Sequence, residues 1–220
     1  MHIFGSVEQV IVKVALLAVM LLVAFPIHEF SHALAAYRLG DGTARLMGRL
    51  TLNPLAHFDP TGGLLLVISV MFTGFGFGWA KPTPYNPMNL QGGRWGEAIV
   101  AVAGPISNLV LAVAASIPLR YMDMTGMDVP FLNDFLLLFI QINLILMVFN
   151  LIPIPPLDGS KVLFAFLDPR TSWQARAFLN QYGLFILLGA MLLPIFGGLT
   201  LIELVFNVLL FPLQQLLTGR

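Results

Sequence analysis

Apolar residues come in long blocks along this chain, with little strict alternation. From Val10 to Ile27 every residue except Lys13 is apolar, which reaches the length at which a spanning helix is the expected reading. The block runs straight into His28-Glu29-Phe30-Ser31-His32, with no small-residue cleavage site followed by a polar mature region. It is therefore read as a retained helix, with Lys13 near one end able to snorkel. Helical propensity continues to about Leu39, where Gly40 suits a C-cap. Residues 38–62 are the most polar stretch. Leu64 to Ala80 is apolar again, but it is only 17 residues long and contains Gly-Phe-Gly-Phe-Gly-Trp. Residues 81–96 are rich in Pro, Gly and Asn and predict irregular chain. Two longer uncharged blocks follow, Ala98 to Leu119 and Phe135 to Leu157, the second carrying Asn143, Asn150 and three prolines. After the charged residues 158–176, the apolar blocks Ala177–Ile202 and Leu204–Leu217 flank Glu203. Gly197-Gly198 offers a natural break, so a helical hairpin is expected there.

Composition turns this pattern into a class. Hydrophobic residues make up 58% of the 220 and charged residues 10%, with a mean hydropathy of +0.87; an ordinary soluble domain is about 25% charged. So few charges cannot cover the polar surface that a soluble domain of this length must have. The expectation is an all-α polytopic membrane protein with about five spanning helices plus a re-entrant loop or β-like hairpin. It would form a single membrane-embedded domain over residues 1–220, with a C-terminal helical hairpin at about 177–217. Eleven basic and eleven acidic residues balance, with no basic tract, so a nucleic-acid surface is unsupported. High hydrophobicity excludes intrinsic disorder. The chain has no cysteine, so a metal would have to use His, Asp or Glu.

The sharpest chemical signal is the pair His28 and His32. Positions i and i+4 share a helix face, so both imidazoles can meet one zinc ion, with Glu29 beside them as a base toward water. The plain alternative is an interfacial polar cluster that snorkels to water, but two histidines and a glutamate at the end of an apolar helix are costly without a purpose. Zinc needs a third protein ligand. Asp158 stands out, because Pro153, Pro155 and Pro156 end the apolar block just before it; its bland role would be to cap the helix that follows. His57 is the rival, though alone in a polar loop it reads as a loop residue or a donor behind a ligand. Asn108 and Asn150 are buried amides in apolar helices, costly unless hydrogen-bonded. The alternative for each is ordinary helix–helix glue, the reading also given to Asn143.

Three ordered motifs carry a resemblance: His-Glu-Phe-Ser-His at 28–32, Gly-Pro-Ile-Ser-Asn at 104–108, and Asn-Leu-Ile-Pro-Ile-Pro-Pro-Leu-Asp-Gly at 150–159. Together they resemble the site-2 protease family of intramembrane zinc metalloproteases, over roughly residues 15–170, which the resemblance implies is the catalytic core. The resemblance implies Zn2+ held by His28, His32 and Asp158, with Glu29 as general base. Asn108 and Asn150 would then orient substrate or steady the transition state. Asn-Pro-Leu-Ala-His-Phe-Asp-Pro-Thr-Gly at 53–62 is similar to the compact bacterial and archaeal branch, and no PDZ or CBS domain is expected. Ser160 stands where a second glycine is common. The implied partners are a transmembrane protein or peptide substrate and the lipid bilayer, without nucleic acid; homo-oligomerisation is left open by Gly183 and Gly189. A non-hydrolytic metal-binding scaffold and a transporter on the same core are the competing functions, and Glu29 discriminates, because binding needs ligands while hydrolysis also needs a base.

Topology constrains the site further. If every apolar block crossed, His32 and Asp158 would face each other across a bilayer core of about 30 Å, against metal–ligand bonds of about 2 Å. Leu64–Ala80, the shortest block, is therefore expected to enter and leave on one side, covered by protein. The positive-inside rule makes the face bearing residues 38–96 and 158–176 cytoplasmic in the cell membrane. If 177–196 and 199–217 both cross, the C-terminal end returns to that same side.

Overall fold

The computed structural model describes residues 7–73, 78–196 and 199–219. Helix α1 (Val7–Val19) runs through a π-helical turn at Met20–Ala24 into α2 (Phe25–Arg38). The wide turn sits just before Phe25-Pro26, where the proline lacks an N–H and its ring crowds the preceding turn. The same device recurs near the other end of the chain. There α10 (Leu201–Val205) passes through a π turn at Phe206–Leu210 into α11 (Phe211–Thr218), again before Phe-Pro.

Between these lie two short helices, α3 (Thr43–Leu46) and α4 (Pro54–His57), and the 14-residue α5 (Pro60–Thr73). The two longest apolar helices follow as an antiparallel pair, α6 (Arg94–Thr125) and α7 (Pro130–Asn150). Then come α8 (Gly159–Phe166), α9 (Pro169–Leu192) and a two-stranded antiparallel ribbon, β1 (Pro194–Phe196) with β2 (Leu199–Thr200). The all-α membrane class stands. Among the described residues, four helices are long and apolar enough to cross a bilayer: Leu17–Arg38, Arg94–Thr125, Phe131–Asn150 and Pro169–Leu192. The expected fifth, Glu203–Thr218, is shorter, because the ribbon takes residues that would have lengthened it.

The core lies between α6 and α7. Ala112, Ala115 and Leu119 pack on Leu136, Ile140 and Leu144, with Leu210 closing the third side. Small residues on α6 let the helices approach closely, the usual basis of packing within a bilayer. Helix α2 lies on the start of α6 in the same way, through the fully buried Ala33 and Ala36.

Helix α5 does not cross. Fourteen residues rise about 21 Å, short of a bilayer core, and the chain comes back beside it. Lys81 N–H donates to the His57 carbonyl (2.8 Å). A Cβ at Gly62 would strike the Trp79 carbonyl, and one at Gly78 would lie 2.5 Å from the Gly62 carbonyl. The inbound helix and the outbound non-helical segment thus touch backbone to backbone, which only glycines permit. Gly74–Phe77, the middle of the expected re-entrant block, lie outside the described residues.

The C-terminal part begins with α9, which packs against the rest of the bundle along its length. Along α9, Arg176 pairs with Glu97 at the start of α6, Gly183 lies against the Pro155 carbonyl, and Leu187 packs on Ile152 and Leu157. All of these neighbours belong to the end of the bundle that carries His32 and Asp158. The last helix then runs away from that end: Leu210 sits among Leu119, Met122 and Leu136, and Gly219 lies beside the Arg120 guanidinium. Residue 219 therefore ends opposite the histidines. Gly197-Gly198 lie outside the described residues.

The polar segment after α2 is pinned by one carboxylate. Asp41 is fully buried. It accepts from Thr43 Oγ1 (2.7 Å), Asn86 N (2.9 Å) and Asn89 Nδ2 (3.0 Å), while Gln91 N donates to the Leu39 carbonyl (2.8 Å). Asn86, Asn89 and Gln91 are thereby committed to tying residues 86–91 to the end of α2. Burial alone would raise the Asp41 pKa, but the bonds from Thr43, Asn89 and Asn86 outweigh it and hold the carboxyl below its ordinary value. A depressed folded pKa gives stability that is complete above the unfolded carboxyl's pKa of about 3.9 and is lost as pH falls through the folded value. Thermal melts in detergent should show wild type losing stability below about pH 4. Asp41→Asn should start about 1–3 kcal/mol lower near neutral pH and lose less on acidification. Parallel curves for the two proteins would show that the carboxylate charge does not carry the pin.

Candidate metal centre

Helix α2 presents His28, His32 and Ala36 along one face, at i, i+4 and i+8, and this face is buried against α6. The α6 backbone comes close because residue 104 is glycine. A Cβ there would collide with His32 Nε2 and lie 2.6 Å from both Cε1 and Nε2 of His28. The glycine of the 104–108 motif is thus the floor on which both imidazoles rest.

Asp158 arrives from the opposite direction. Helix α7 ends at Asn150, and the proline-rich turn carries the chain to Asp158 just before α8. It occupies the N-cap position of α8, yet its side chain makes no capping bond. Its Oδ2 lies 3.2 Å from His28 Nε2 and 3.1 Å from His32 Nε2, and the two Nε2 atoms are 3.0 Å apart. The other oxygen accepts from Lys161 Nζ (3.1 Å). Burial alone would lower the Lys161 pKa, but the Asp158 charge outweighs it and raises the value above that of an ordinary lysine.

The proton positions decide what these three atoms can hold. His32 Nδ1 lies 2.7 Å from the Val100 carbonyl. A carbonyl only accepts, so Nδ1 carries a proton, and in the neutral ring Nε2 offers a lone pair. His28 Nδ1 donates likewise to Asn108 Oδ1 (2.6 Å). With both rings neutral, two imidazole lone pairs and a carboxylate oxygen face one another, an arrangement that repels itself unless a cation sits at its centre. The edge of a zinc tetrahedron with bonds of about 2.0–2.1 Å is about 3.3 Å, close to the 3.0–3.2 Å separations of these donors. With two nitrogens, one oxygen and no sulfur, the donor set fits zinc in a site that keeps a fourth position open.

Glu29 lies next to this triangle. A ligand atom from each of His28, Glu29 and His32 falls within 4.8 Å of the others. Thr83, on the strand returning from the re-entrant segment, holds Glu29 twice. Its N–H donates to Glu29 Oε2 (2.8 Å) and its Oγ1 to the Glu29 carbonyl (2.9 Å). A cavity of about 490 Å³ opens here, lined among others by His28, Glu29, His32, Asn150, Asp158 and Lys161.

The two motif asparagines part company. Asn150 lines the cavity, with its Nδ2 on the Leu146 carbonyl (3.0 Å). Asn108 is fully buried behind His28 and gives its Nδ2 to Asn143 Oδ1 (2.9 Å). Its amide is spent on the imidazole, away from the cavity. His57 does not join the cluster, since it is buried with Nε2 on the Thr51 carbonyl (2.8 Å). His2 lies outside the described residues. Asn143, read as helix glue, also bonds the asparagine behind His28. Three contributors escaped the sequence reading: Thr83, Lys161, and the ion pair of Glu97 with Arg176, whose two nitrogens reach Oε1 (3.2 Å) and Oε2 (2.6 Å). That pair ties α9 to the start of α6 beside Tyr85, which also lines the cavity.

Comparison with known proteins agrees with this geometry. YwhC of Bacillus subtilis (strain 168), which bears a zinc-metalloprotease name, is 41% identical over 158 residues, covering 70% of this chain and 69% of that protein. The family model "Peptidase family M50" matches residues 116–190. The chain belongs to peptidase family M50. Rip2 of Mycolicibacterium smegmatis is 35% identical over 173 residues, 79% of this chain and 65% of Rip2. Rip2 of Mycobacterium tuberculosis (H37Rv) is 33% identical over 178 residues, 80% of this chain and 66% of that protein. Both Rip2 proteins carry zinc-metalloprotease names, and the chain spans about two thirds of the length of these relatives. No solved structure matches it. The family-model match takes in Asn143, Asn150 and Asp158 but not the histidine motif, so the convergence of His28 and His32 on Asp158 is an observation independent of it.

Replacing Gly104 tests the floor of the site. Gly104→Ala should cost about 1–3 kcal/mol in stability from overpacking and weaken zinc binding by at least about 10–100-fold, the range for disturbed ligand support. Metal analysis of the purified variant, with chelator competition, measures it; wild-type zinc affinity would show that α2 and α6 separate freely there.

Proposed function

We propose that this protein is a zinc endopeptidase that hydrolyses peptide bonds in or near transmembrane segments of membrane-protein substrates. The observation that carries the reading is the triangle of lone pairs from His28, His32 and Asp158, opening with the Glu29 carboxylate onto one cavity. In this reading the whole chain serves as one membrane-embedded domain. A bound zinc would supply Lewis acidity toward the scissile carbonyl and lower the pKa of water.

The protein's own groups do the rest. Glu29 takes a proton from water, whose oxygen attacks the scissile carbonyl carbon; as the C–N bond breaks, Glu29 returns the proton to the departing amine. Asn150, on the cavity wall, is placed to engage the substrate backbone, while Asn108 serves by holding His28. A substrate helix has its amides paired and must unwind before attack. The non-helical segment at 78–83 lies along the cavity and offers a backbone edge for the unwound segment, with Thr83 linking that edge directly to the base. A scaffold or transporter would need the ligands but would have no use for Glu29 held at the metal.

Charge supports a cytoplasmic site. Arg38, Arg45, Arg49, Lys81, Arg94, Lys161, Arg170 and Arg176 all lie in the segments at the site's end of the bundle, whereas among the described residues Arg120 lies toward the other end of α6. The positive-inside rule assigns the richer end to the cytoplasm.

Two experiments test the reading. Glu29→Gln should keep its zinc and lose cleavage of a tethered transmembrane substrate by at least about 100-fold, the lower bound for a general base; equal cleavage by both proteins would defeat the protease assignment. Because the chain has no cysteine, single cysteines report sidedness cleanly. Met88→Cys and Met124→Cys replace residues 90% and 87% exposed. An impermeant thiol reagent outside intact cells should label the second and spare the first, and the reverse pattern would place the site outside.

A further inference from the structure

The proposed zinc ligand His28 works only if Nε2 carries the lone pair, which requires the proton on Nδ1. The group facing Nδ1 is an amide, and an amide has two ends. Turned one way, Asn108 presents its oxygen and His28 must donate; turned the other way, it presents –NH2 and forces the proton onto Nε2, where it would block the metal. At His28 itself, Asp158 Oδ2 lies 3.2 Å from Nε2 and only accepts, so in the zinc-free protein it favours the proton on Nε2; the Nδ1–H tautomer has to be selected from the other side of the ring.

The choice is made two residues away. Asn143, one turn beyond Phe139 on α7, is fully buried and donates its Nδ2 to the Phe139 carbonyl (2.9 Å). A carbonyl cannot donate, so Asn143 is locked with Oδ1 outward. That oxygen takes a hydrogen from Asn108 Nδ2 (2.9 Å), which turns Asn108 Oδ1 toward His28 Nδ1 (2.6 Å). His32 needs no such relay, since the Val100 carbonyl faces its Nδ1 directly (2.7 Å).

We infer that Asn143 is a positioning residue for the metal centre, setting the tautomer of His28 through the orientation of Asn108. The inference rests on the zinc-site reading above, but its first measurement does not depend on that reading. Asn143 neither lines the cavity nor touches the three ligands.

Nitrogen NMR of zinc-free, 15N-histidine-labelled protein in detergent at one fixed pH reports which ring nitrogen carries a hydrogen. The four histidines are assigned by single substitution. In wild type, His28 and His32 should both show Nδ1–H. Asn143→Leu leaves Asn108 free to turn, so the His28 signal should become mixed while the His32 signal stays. Zinc affinity by chelator competition should weaken about 10–100-fold, as for lost partners behind a metal ligand. Asn143→Asp should restore most of both. Burial favours the neutral acid, whose O–H replaces the bond to Phe139 while its carbonyl accepts from Asn108. Should Asn143→Leu fail to accumulate, Asn143→Ser breaks the same link with a smaller side chain.

An unchanged His28 in the Leu or Ser variant would overturn the relay. So would a joint change in His28 and His32, which marks loosened packing, or an Asn143→Asp variant no better than Asn143→Leu. Failure of the protease reading looks different: wild type would cleave nothing while the selective response of His28 persisted.

Discussion

Three lone pairs held within 3.2 Å of one another are the constraint around which this molecule is arranged. They repel, so the scaffold must hold them together from outside. Helix α2 supplies two from adjacent turns, and the turn after α7 supplies the third. Helix α6 lies behind both histidines, with Gly104 as the surface they press on and the Val100 carbonyl and Asn108 as the groups that aim them. Everything distant from this triangle is placed by the need to bring a helix end and a proline-rich turn to the same depth on the same side.

That need explains the least regular part of the fold. The chain leaves α2 and must enter α6 at the same end, so the intervening apolar block has to come back, and α5 with its returning strand does so by glycine-to-backbone contact. The strand then acts on the site itself, because Thr83 reaches Glu29. Asp41 fixes where the strand's continuation meets α2. The re-entrant element, the pin and Glu29 are one mechanical unit, although they are separated along the chain by up to 54 residues.

Much of this was legible beforehand, and the physical reason is locality. The pairing of His28 with His32 is a property of helical pitch, and the exclusion of a crossing at Leu64–Ala80 follows from bilayer thickness. Neither needs tertiary knowledge. What could not be read lies between elements. Asn143 has the composition of ordinary helix glue, and only its distance from Asn108 separates it from that role. Asp41 looks like one more loop charge until Asn86 and Asn89 close over it. The placing of α9 is another such case, since it rests on the Arg176–Glu97 pair and the contact of Gly183 with Pro155.

The relay behind His28 has a physical logic peculiar to its surroundings. Histidine ligands are commonly aimed by a carboxylate, whose two oxygens both accept and whose rotation therefore does not matter. A carboxylate at position 108 would add a second buried charge beside Asp158 within an apolar bundle, at considerable cost. A neutral amide avoids that charge but brings an ambiguity of orientation. One amide cannot settle its own direction; two in series, ended on a main-chain carbonyl that only accepts, can. The sequence of groups from the Phe139 carbonyl through Asn143 and Asn108 to His28 thus achieves with uncharged groups what a carboxylate achieves where water or counter-charges are at hand. On this argument Asn143 is needed because Asn108 is an amide, and Asn108 is an amide because the site sits within a membrane protein.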